Sequence, residues 1–409
     1  MTCDSHTMIT HSSHATHKGT LQFASALSRN ADTEAATRDV ADAVRRQIGQ
    51  HSVDLAFVFF SAHHAAQVTV ISTMLQEALK AEVCVGCSGE GVIGGSEELE
   101  TAQALALWIA HLPQVHVAPL RLSFSDSHDQ IRITDWPEST VAESTFVLVA
   151  DPFTTPMQDV LAVMAERYPQ AKAIGGLAGG GHDAGANRLL LNHEVFDGGL
   201  VGVRLAGPVS VRTVISQGCC PVGDRFVVTK AEQNLIYELG GKPALQRLQD
   251  VFESLESTHR RDAHLALHLG IVIDEHRNQF ERGDFLVRNL IGADQQTGAI
   301  AIGDVVQEGQ TVQFQLRDGR SASEDLQVLL AKDRTIHSTP PLGALLFSCC
   351  GRGQGLFGRP HHDSGVVHER FGNIPVAGFF AQGEIGPVGG RNFLHGYTAS
   401  VALFAEPNS

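Results

Sequence analysis

The sequence predicts an α/β protein in which mixed β-sheets flanked by helices are built from repeated β-α-β-turn-β units in two domains. Three observations carry this reading. An apolar run ending in G-x-x-x-x-G recurs, framed by Gly86 and Gly91 in VCVGCSGEGVIGG, by Gly176 and Gly181 in KAIGGLAGGGHDAG, and by Gly378 and Gly383 in IPVAGFFAQGEIGP. Each copy follows a second apolar run and a helical-looking spacer and precedes a further apolar run, so the repeat is a whole supersecondary unit. A chain of 409 residues also exceeds one ordinary domain. The expected division is a His/Ser/Thr-rich disordered tail at 1–20, an N-terminal domain of two tandem β-α-β units at 21–235, and a C-terminal domain at 236–409.

In chain order, apolar and alanine positions recur at helical spacing from Asp32 to Ile48, with Asp32 as N-cap. Asp54–Ser61 reads as a buried strand, Val68–Lys80 as a helix, and Glu82–Cys87 and Ala102–Ala110 as strands. The stretch Val115–Glu138, in the neighbourhood of Pro113, Pro119 and Pro137, reads as a connector. The second unit repeats the order with a strand at Thr145–Ala150, a helix at Met157–Tyr168, and strands at Arg188–Asn192 and Gly199–Leu205. Gly218 and Pro221-Val222-Gly223 break Val209–Lys230 between two strands, and Pro243–Leu255 is helical. An apolar strand follows at Ala263–Ile273, then a meander of Phe285–Ile291, Ala299–Val305 and Thr311–Leu316. Ser321-Ala322-Ser323-Glu324 has capping-box spacing and opens a helix to about Ala331. Strand Ala344–Ser348, the turn CCGRG, a polar spacer, the third glycine frame and strand Thr398–Ala405 close the chain.

Acidic residues outnumber basic ones, 45 to 30, so neither nucleic acid nor an anionic lipid surface is expected as a partner. Seven cysteines, including the adjacent pairs Cys219-Cys220 and Cys349-Cys350, do not suit a secreted disulfide framework and point to a reducing cytoplasm. No apolar run approaches the ~20 residues of a membrane span. The tail histidines His6, His11, His14 and His17 lack the fixed spacing of metal ligands.

The motifs FASALS, GCSGEGVIGG, AIGGLAGG, SQGCCPVG, FLVRNLIGAD, EGQTVQFQLRD, FSCCGRG and GFFAQGEIGP followed by NFLHGYT stand in that order. Together they resemble the paired N- and C-terminal domains of the FIST (F-box and intracellular signal transduction) family, over nearly everything after the tail. With no F-box, the chain resembles a stand-alone bacterial-type member. The resemblance implies a non-enzymatic cytoplasmic sensor that binds a small metabolite such as an amino acid. It also implies a separate signalling partner, such as a histidine kinase or a cyclic-dinucleotide enzyme. A subset of similar bacterial proteins are haem-dependent nitric oxide sensors, which makes haem the alternative cofactor. Val92 stands where the family often has an acid, leaving Glu384 as the only acid at that position of the repeat.

The third copy is therefore the expected site. Gly378 and Gly383 allow close backbone approach, and free N–H groups there form an anion-binding concavity, or else the glycines serve only tight strand packing. Arg352, between two glycines, offers a two-pronged donor for a carboxylate, with Glu384 opposite for an ammonium group. Cys349 ends a strand at the same turn, where Arg352 or free amides would lower its pKa, and His395 is the candidate base for a cysteine-dependent enzyme. Cys84 and Cys87 alternate to opposite strand faces, which disfavours a metal or redox pair. A haem would take an axial ligand from His193, His264, His268 or His395, non-covalently, since no C-x-x-C-H is present. The glycine frames lack the Lys-Ser/Thr of a phosphate loop, and no Ser-His-Asp signature is visible.

Overall fold

The computed structural model describes residues 20–127, 130–138, 143–255, 267–277, 280 and 283–407. The tail, apart from Thr20, and His264 lie outside them. Three sheets of parallel design and one barrel make up the fold.

The first sheet has the order β1 (Gln22–Ser28), β6 (Leu105–His111), β2 (Leu55–Ser61), β3 (Val83–Gly89), β11 (Leu189–Leu191), β12 (Glu194–Phe196). The second runs β7 (His116–Ser127), β13 (Leu200–Ala206), β9 (Thr145–Ala150), β10 (Lys172–Leu177), β24 (Glu384–Val388), β25 (Arg391–His395), with β8 (Gln130–Thr134) outside β7. The third runs β14 (Ser210–Ser216), β26 (Ala399–Ala405), β22 (Gly343–Cys349), β23 (Val376–Ala381), β4 (Val92–Gly94), β5 (Glu97–Leu99). One plan underlies all three. An edge strand and a return strand precede two parallel strands, β2/β3, β9/β10 and β22/β23. A hairpin from another unit completes each sheet. The lending is cyclic: unit one gives β4–β5 to the third sheet, unit two gives β11–β12 to the first, and unit three gives β24–β25 to the second. Pairing thus crosses the expected boundary at 235/236, since β14 pairs with β26 and β10 with β24.

The parallel strands read as unbroken apolar runs because both faces are covered. Inner-face residues Phe57, Phe59, Val147, Val149, Phe347 and Phe379 meet in one central core. The alternate residues Ala56, Val58 and Phe60 pack against α1 (Thr33–Ile48) and α2 (Val68–Leu79). On the second sheet Phe146 and Leu148 pack against α3 (Met157–Arg167). Cys84 and Cys87 fall in different clusters, on opposite faces as the period of two requires. The central core explains the glycine frame. A Cβ on Gly378 would lie 1.7 Å from the Leu346 carbonyl oxygen of the neighbouring strand, and one on Gly175 would lie 1.8 Å from that of Leu148. Gly86 stands equivalently against Val58, so the frame in the second copy begins at Gly175, one residue before the expected Gly176.

Between β14 and β22 the chain builds a barrel from β15 (Cys219–Glu232), β21 (Thr311–Arg317), β18 (Leu267–Val272), β19 (Phe285–Asp294), β20 (Ala299–Ile302) and β16 (Leu235–Leu239). It closes because β15 pairs with both β21 and β16, so the expected meander is a barrel wall in which β21 joins β18 and not β20. The short β17 (Lys242–Pro243) leads into α4 (Ala244–Ser254).

Several expectations change here. The connector at Val115–Glu138 is largely β7 and β8, and Pro119 is accommodated on a stretch of β7 that pairs on one side only, with β13. Helix α5 runs Gly319–Ile336, and its cap is Asp318, which accepts from the Ser321 amide at 2.8 Å, so Ser321 does not open a capping box. After α6 (Gln354–Phe357), the polar spacer contains α7 (His362–Phe371).

Candidate functional site

Strand β22 delivers the turn Cys349-Cys350-Gly351-Arg352, closed by the Arg352 amide on the Cys349 carbonyl at 2.8 Å. Arg352 is 2% exposed, and its fork is already filled. Nε donates to Asp363 Oδ2 at 2.7 Å and Nη2 to Asp363 Oδ1 at 2.9 Å, with the guanidinium lying 5.2 Å from the Phe357 ring centre. The carboxylate expected from a ligand comes from Asp363 on α7. Burial opposes the charge on Asp363, but the Arg352 cation and the hydrogen bonds of Arg352 and His362 outweigh it and hold that carboxyl below its usual range.

Glu384 is fully buried at the start of β24, where Oε2 accepts from the Thr398 amide at 2.9 Å. Burial, and next the neighbouring Cys349, push its pKa well above the ordinary carboxyl value, which disfavours the charge an ammonium group would need. Directly across from it in the β24/β25 pair, His395 donates Nε2–H to the Gly386 carbonyl at 3.0 Å. Burial lowers its pKa to about 4. That geometry ties the ring to its own hairpin and not to a thiol. The Cys349 thiol is buried and bonded to the Cys350 sulfur, and both effects raise its pKa well above the ordinary value. The lowered one is exposed Cys350, which receives that hydrogen bond. Gly378 lies within β23, and a Cβ on Gly383 would come 3.0 Å from Leu177 Cδ1, so both glycines serve packing. The structure thus gathers Cys349 and Arg352 at the end of the third sheet and Glu384 and His395 on the second sheet beside them, with Arg352 paired internally and Glu384 Oε1 buried without a hydrogen-bond partner among the described residues.

The open space lies beside them. A cavity of about 820 Å³ is bounded by α4, the start of β18, β19 and Tyr397. Leu248, Phe252, Leu267 and Leu290 give it apolar walls, and Gln249, Glu253, His268, Asn289 and Tyr397 supply the polar groups. His268 is 4% exposed, yet among the described residues neither ring nitrogen has a hydrogen-bond partner. Such an orphaned pair of polar atoms is costly when no partner arrives. Burial, reinforced by the Arg317 cation, lowers its pKa to about 4, so the imidazole is neutral near pH 7. Its ring lies 4.5 Å from that of Tyr397, and the Arg317 guanidinium sits 4.3 Å from the Tyr397 ring centre. The Asn289 side chain approaches the Tyr397 hydroxyl. Tyr397 itself has φ of 63°, a left-handed conformation that an aromatic residue holds only when its surroundings enforce it.

Sequence reasoning put His268 among four equal histidines and passed over Asn289, Tyr397 and Asp363. A signal existed for two of them, since Asn289 lies in FLVRNLIGAD and Tyr397 in NFLHGYT, among the motifs that carry the resemblance. The convergence of β18, β19 and the loop before β26 is a property of the barrel closure, which no local pattern announces.

The architecture is an α/β body of three similar units with an inserted barrel and a part-apolar cavity at the barrel's edge. Comparison with known families is specific: the FIST N domain matches residues 54–242 and the FIST C domain residues 244–387. The chain belongs to the FIST family, whose domains are sensory modules of signal transduction. It is 38% identical over 375 residues to uncharacterized protein Rv0628c of Mycobacterium tuberculosis, covering 92% of this chain and 97% of the relative. Uncharacterized protein Mb0898c of Mycobacterium bovis is 37% identical over 375 residues, covering 92% and 96%. Among the described residues no helix is long and apolar enough to cross a membrane.

Proposed function

We propose that this FIST protein senses a small molecule bound in the cavity beside Tyr397 and passes the bound state to a separate signalling partner. The observation that carries the reading is His268, a buried neutral imidazole with two unsatisfied nitrogens at the wall of a part-apolar cavity. A ligand offering one hydrogen-bonding group to His268 and an apolar body to Phe252 and Leu290 satisfies both. An amino acid clamped between Arg352 and Glu384 is not supported, because the first is paired with Asp363 and burial disfavours charge on the second.

The test is native mass spectrometry of the purified chain for co-purifying small molecules, followed by titration of the molecule found. His268→Gln weakens binding at least about tenfold, the worth of one hydrogen bond to a buried group. Equal affinity of the variant and the parent would place the ligand elsewhere.

A second reading has its own support in the same residue. A haem fits the donor chemistry at His268, whose lone pair is unused and whose low pKa keeps it unprotonated. When bound through one histidine, a haem supplies an iron that takes up a diatomic gas. Of the three candidate histidines among the described residues, His193 stands in the turn between β11 and β12, His395 is hydrogen-bonded to Gly386, and His268 lines the cavity, which favours His268 for this role. Addition of haemin with no Soret band, or a band unchanged by His268→Ala, would exclude it.

A further inference from the structure

A second chemically competent cluster lies outside the cavity, on the far side of Arg352. Asp363 and His362 open α7, and Ser323 lies near the start of α5. His362 Nδ1 is 2.9 Å from Asp363 Oδ1, and His362 Nε2 is 2.9 Å from Ser323 Oγ. The proton positions follow from the partners. Asp363 already accepts from Arg352 and from the Ser348 hydroxyl at 2.8 Å, so as a carboxylate it only accepts, and His362 Nδ1 carries the hydrogen. His362 Nε2 is then the acceptor, and the Ser323 hydroxyl donates to it. Gln327, one helical turn along α5, directs its side-chain Nε2 to Ser323 Oγ at 3.3 Å.

The surroundings sort the three residues by role. Asp363 and His362 are buried, while Ser323 is partly exposed, so the nucleophile stands at the solvent edge with its base and its orienting group behind it. The His362 ring lies flat on Phe357, with ring centres 3.5 Å apart and planes 10° apart, which fixes the imidazole plane. The fork of Arg352 and the Ser348 hydroxyl fix Asp363. These are the positions a nucleophile, a general base and an orienting group must occupy, independent of sequence order. A serine that merely satisfied a buried histidine would share the hydrogen bond but would have no reason to react.

We propose that Ser323, His362 and Asp363 form an acyl-transfer site at which Ser323 takes up the acyl group of a small activated ester. Ser323 Oγ bonds to the ester carbonyl carbon as its proton passes to His362 Nε2, and the Gln327 amide, which donates to Ser323 Oγ, is a side-chain donor within reach of the oxyanion that develops. The bond to the leaving oxygen then breaks, and that oxygen takes the proton from His362. Water, deprotonated by His362, attacks the acyl-serine, Ser323 recovers its proton, and a carboxylic acid leaves. The cavity beside Tyr397 does not include Ser323, so the acyl group served is a small one and this activity is separable from ligand sensing.

The experiment uses the full chain with p-nitrophenyl acetate as substrate and a fluorophosphonate as covalent probe. Expected are release of p-nitrophenolate above the buffer rate, and phosphonylation mapped to Ser323 by peptide mass spectrometry. Ser323→Ala, a change to a strong helix former on a partly exposed position, abolishes both, and His362→Gln slows labelling at least about 100-fold, the usual contribution of a general base. Since His362→Gln removes a buried ring, its thermal unfolding is measured beside it. If that variant does not fold, the slowing of parent labelling in D₂O replaces it as the readout of proton transfer. Probe found on residues other than Ser323, ester turnover undiminished in Ser323→Ala, or a parent labelling rate equal in H₂O and D₂O would overturn the assignment.

Discussion

At the residue scale the junction shows how partners set the properties of a side chain. Cys349 and Cys350 are adjacent and chemically identical, yet one is buried and donates its S–H while the other is exposed and accepts it. The thiolate is the reactive form, so iodoacetamide at neutral pH should alkylate Cys350 before Cys349. Time-resolved peptide mass spectrometry checks this, and equal or reversed labelling rates would refute the assignment. Sequence alone named Cys349, whereas the structure raises the pKa of that thiol and lowers the one beside it, because neither burial nor the direction of one hydrogen bond is written in CCGRG. The same applies to Arg352 and Glu384. Their residue types were legible as candidate charges, but Arg352 is answered by Asp363, eleven positions on, in a spacer that read only as polar. The charge on Glu384 is disfavoured by burial.

At the scale of elements, most of the architecture was legible, for a physical reason. Strands covered on both faces must be apolar throughout, so Leu55–Ser61, Thr145–Ala150 and Gly343–Cys349 stand out from their surroundings. Helix α1 announced itself by its periodicity and by Asp32, whose side chain accepts from the Ala35 amide. What failed were elements that satisfy themselves through distant partners. The three-residue strands β4, β5 and β12 carry too few positions for a pattern, and β7 was hidden by Pro119, whereas β11 falls within the strand expected at Arg188–Asn192. The glycine frame was legible as a repeat, and its purpose now has a test. Gly378→Ala forces a Cβ into the Leu346 carbonyl and should cost about 3 kcal/mol, the upper range of overpacking. Gly355→Ala, with open space around it in a helix, should be neutral or slightly stabilising. Urea unfolding of both compares them, and a Gly378→Ala protein as stable as the parent would return that glycine to the list of candidate ligand contacts.

At the scale of the whole molecule, the sequence boundary between the two FIST domains near residue 243 is not a boundary between independently completed sheets. The second sheet needs β24, the third needs β4, and β14 needs β26. Residues 20–242 expressed alone should therefore lack a cooperative unfolding transition and expose the edge of β10, a template for aggregation. Co-expression with residues 243–409 should restore a soluble complex. A sharp thermal transition from the N-terminal piece alone would contradict the interdependence of the sheets.

Cyclic lending of hairpins also sets a timetable. Gly176 of β10 pairs with Glu384, more than two hundred positions later. A ribosome adding roughly 5–20 residues per second needs on the order of 10–40 s to make the missing partner. Throughout that interval the nascent chain holds a nearly finished sheet with one raw edge, and its first hairpin, β4–β5, has no host strand until β23 is made. The first sheet is complete once β12 is made, but the second and third wait for the last repeat, which makes this a protein whose yield in the cell should depend on elongation speed and on whatever shields that edge during synthesis.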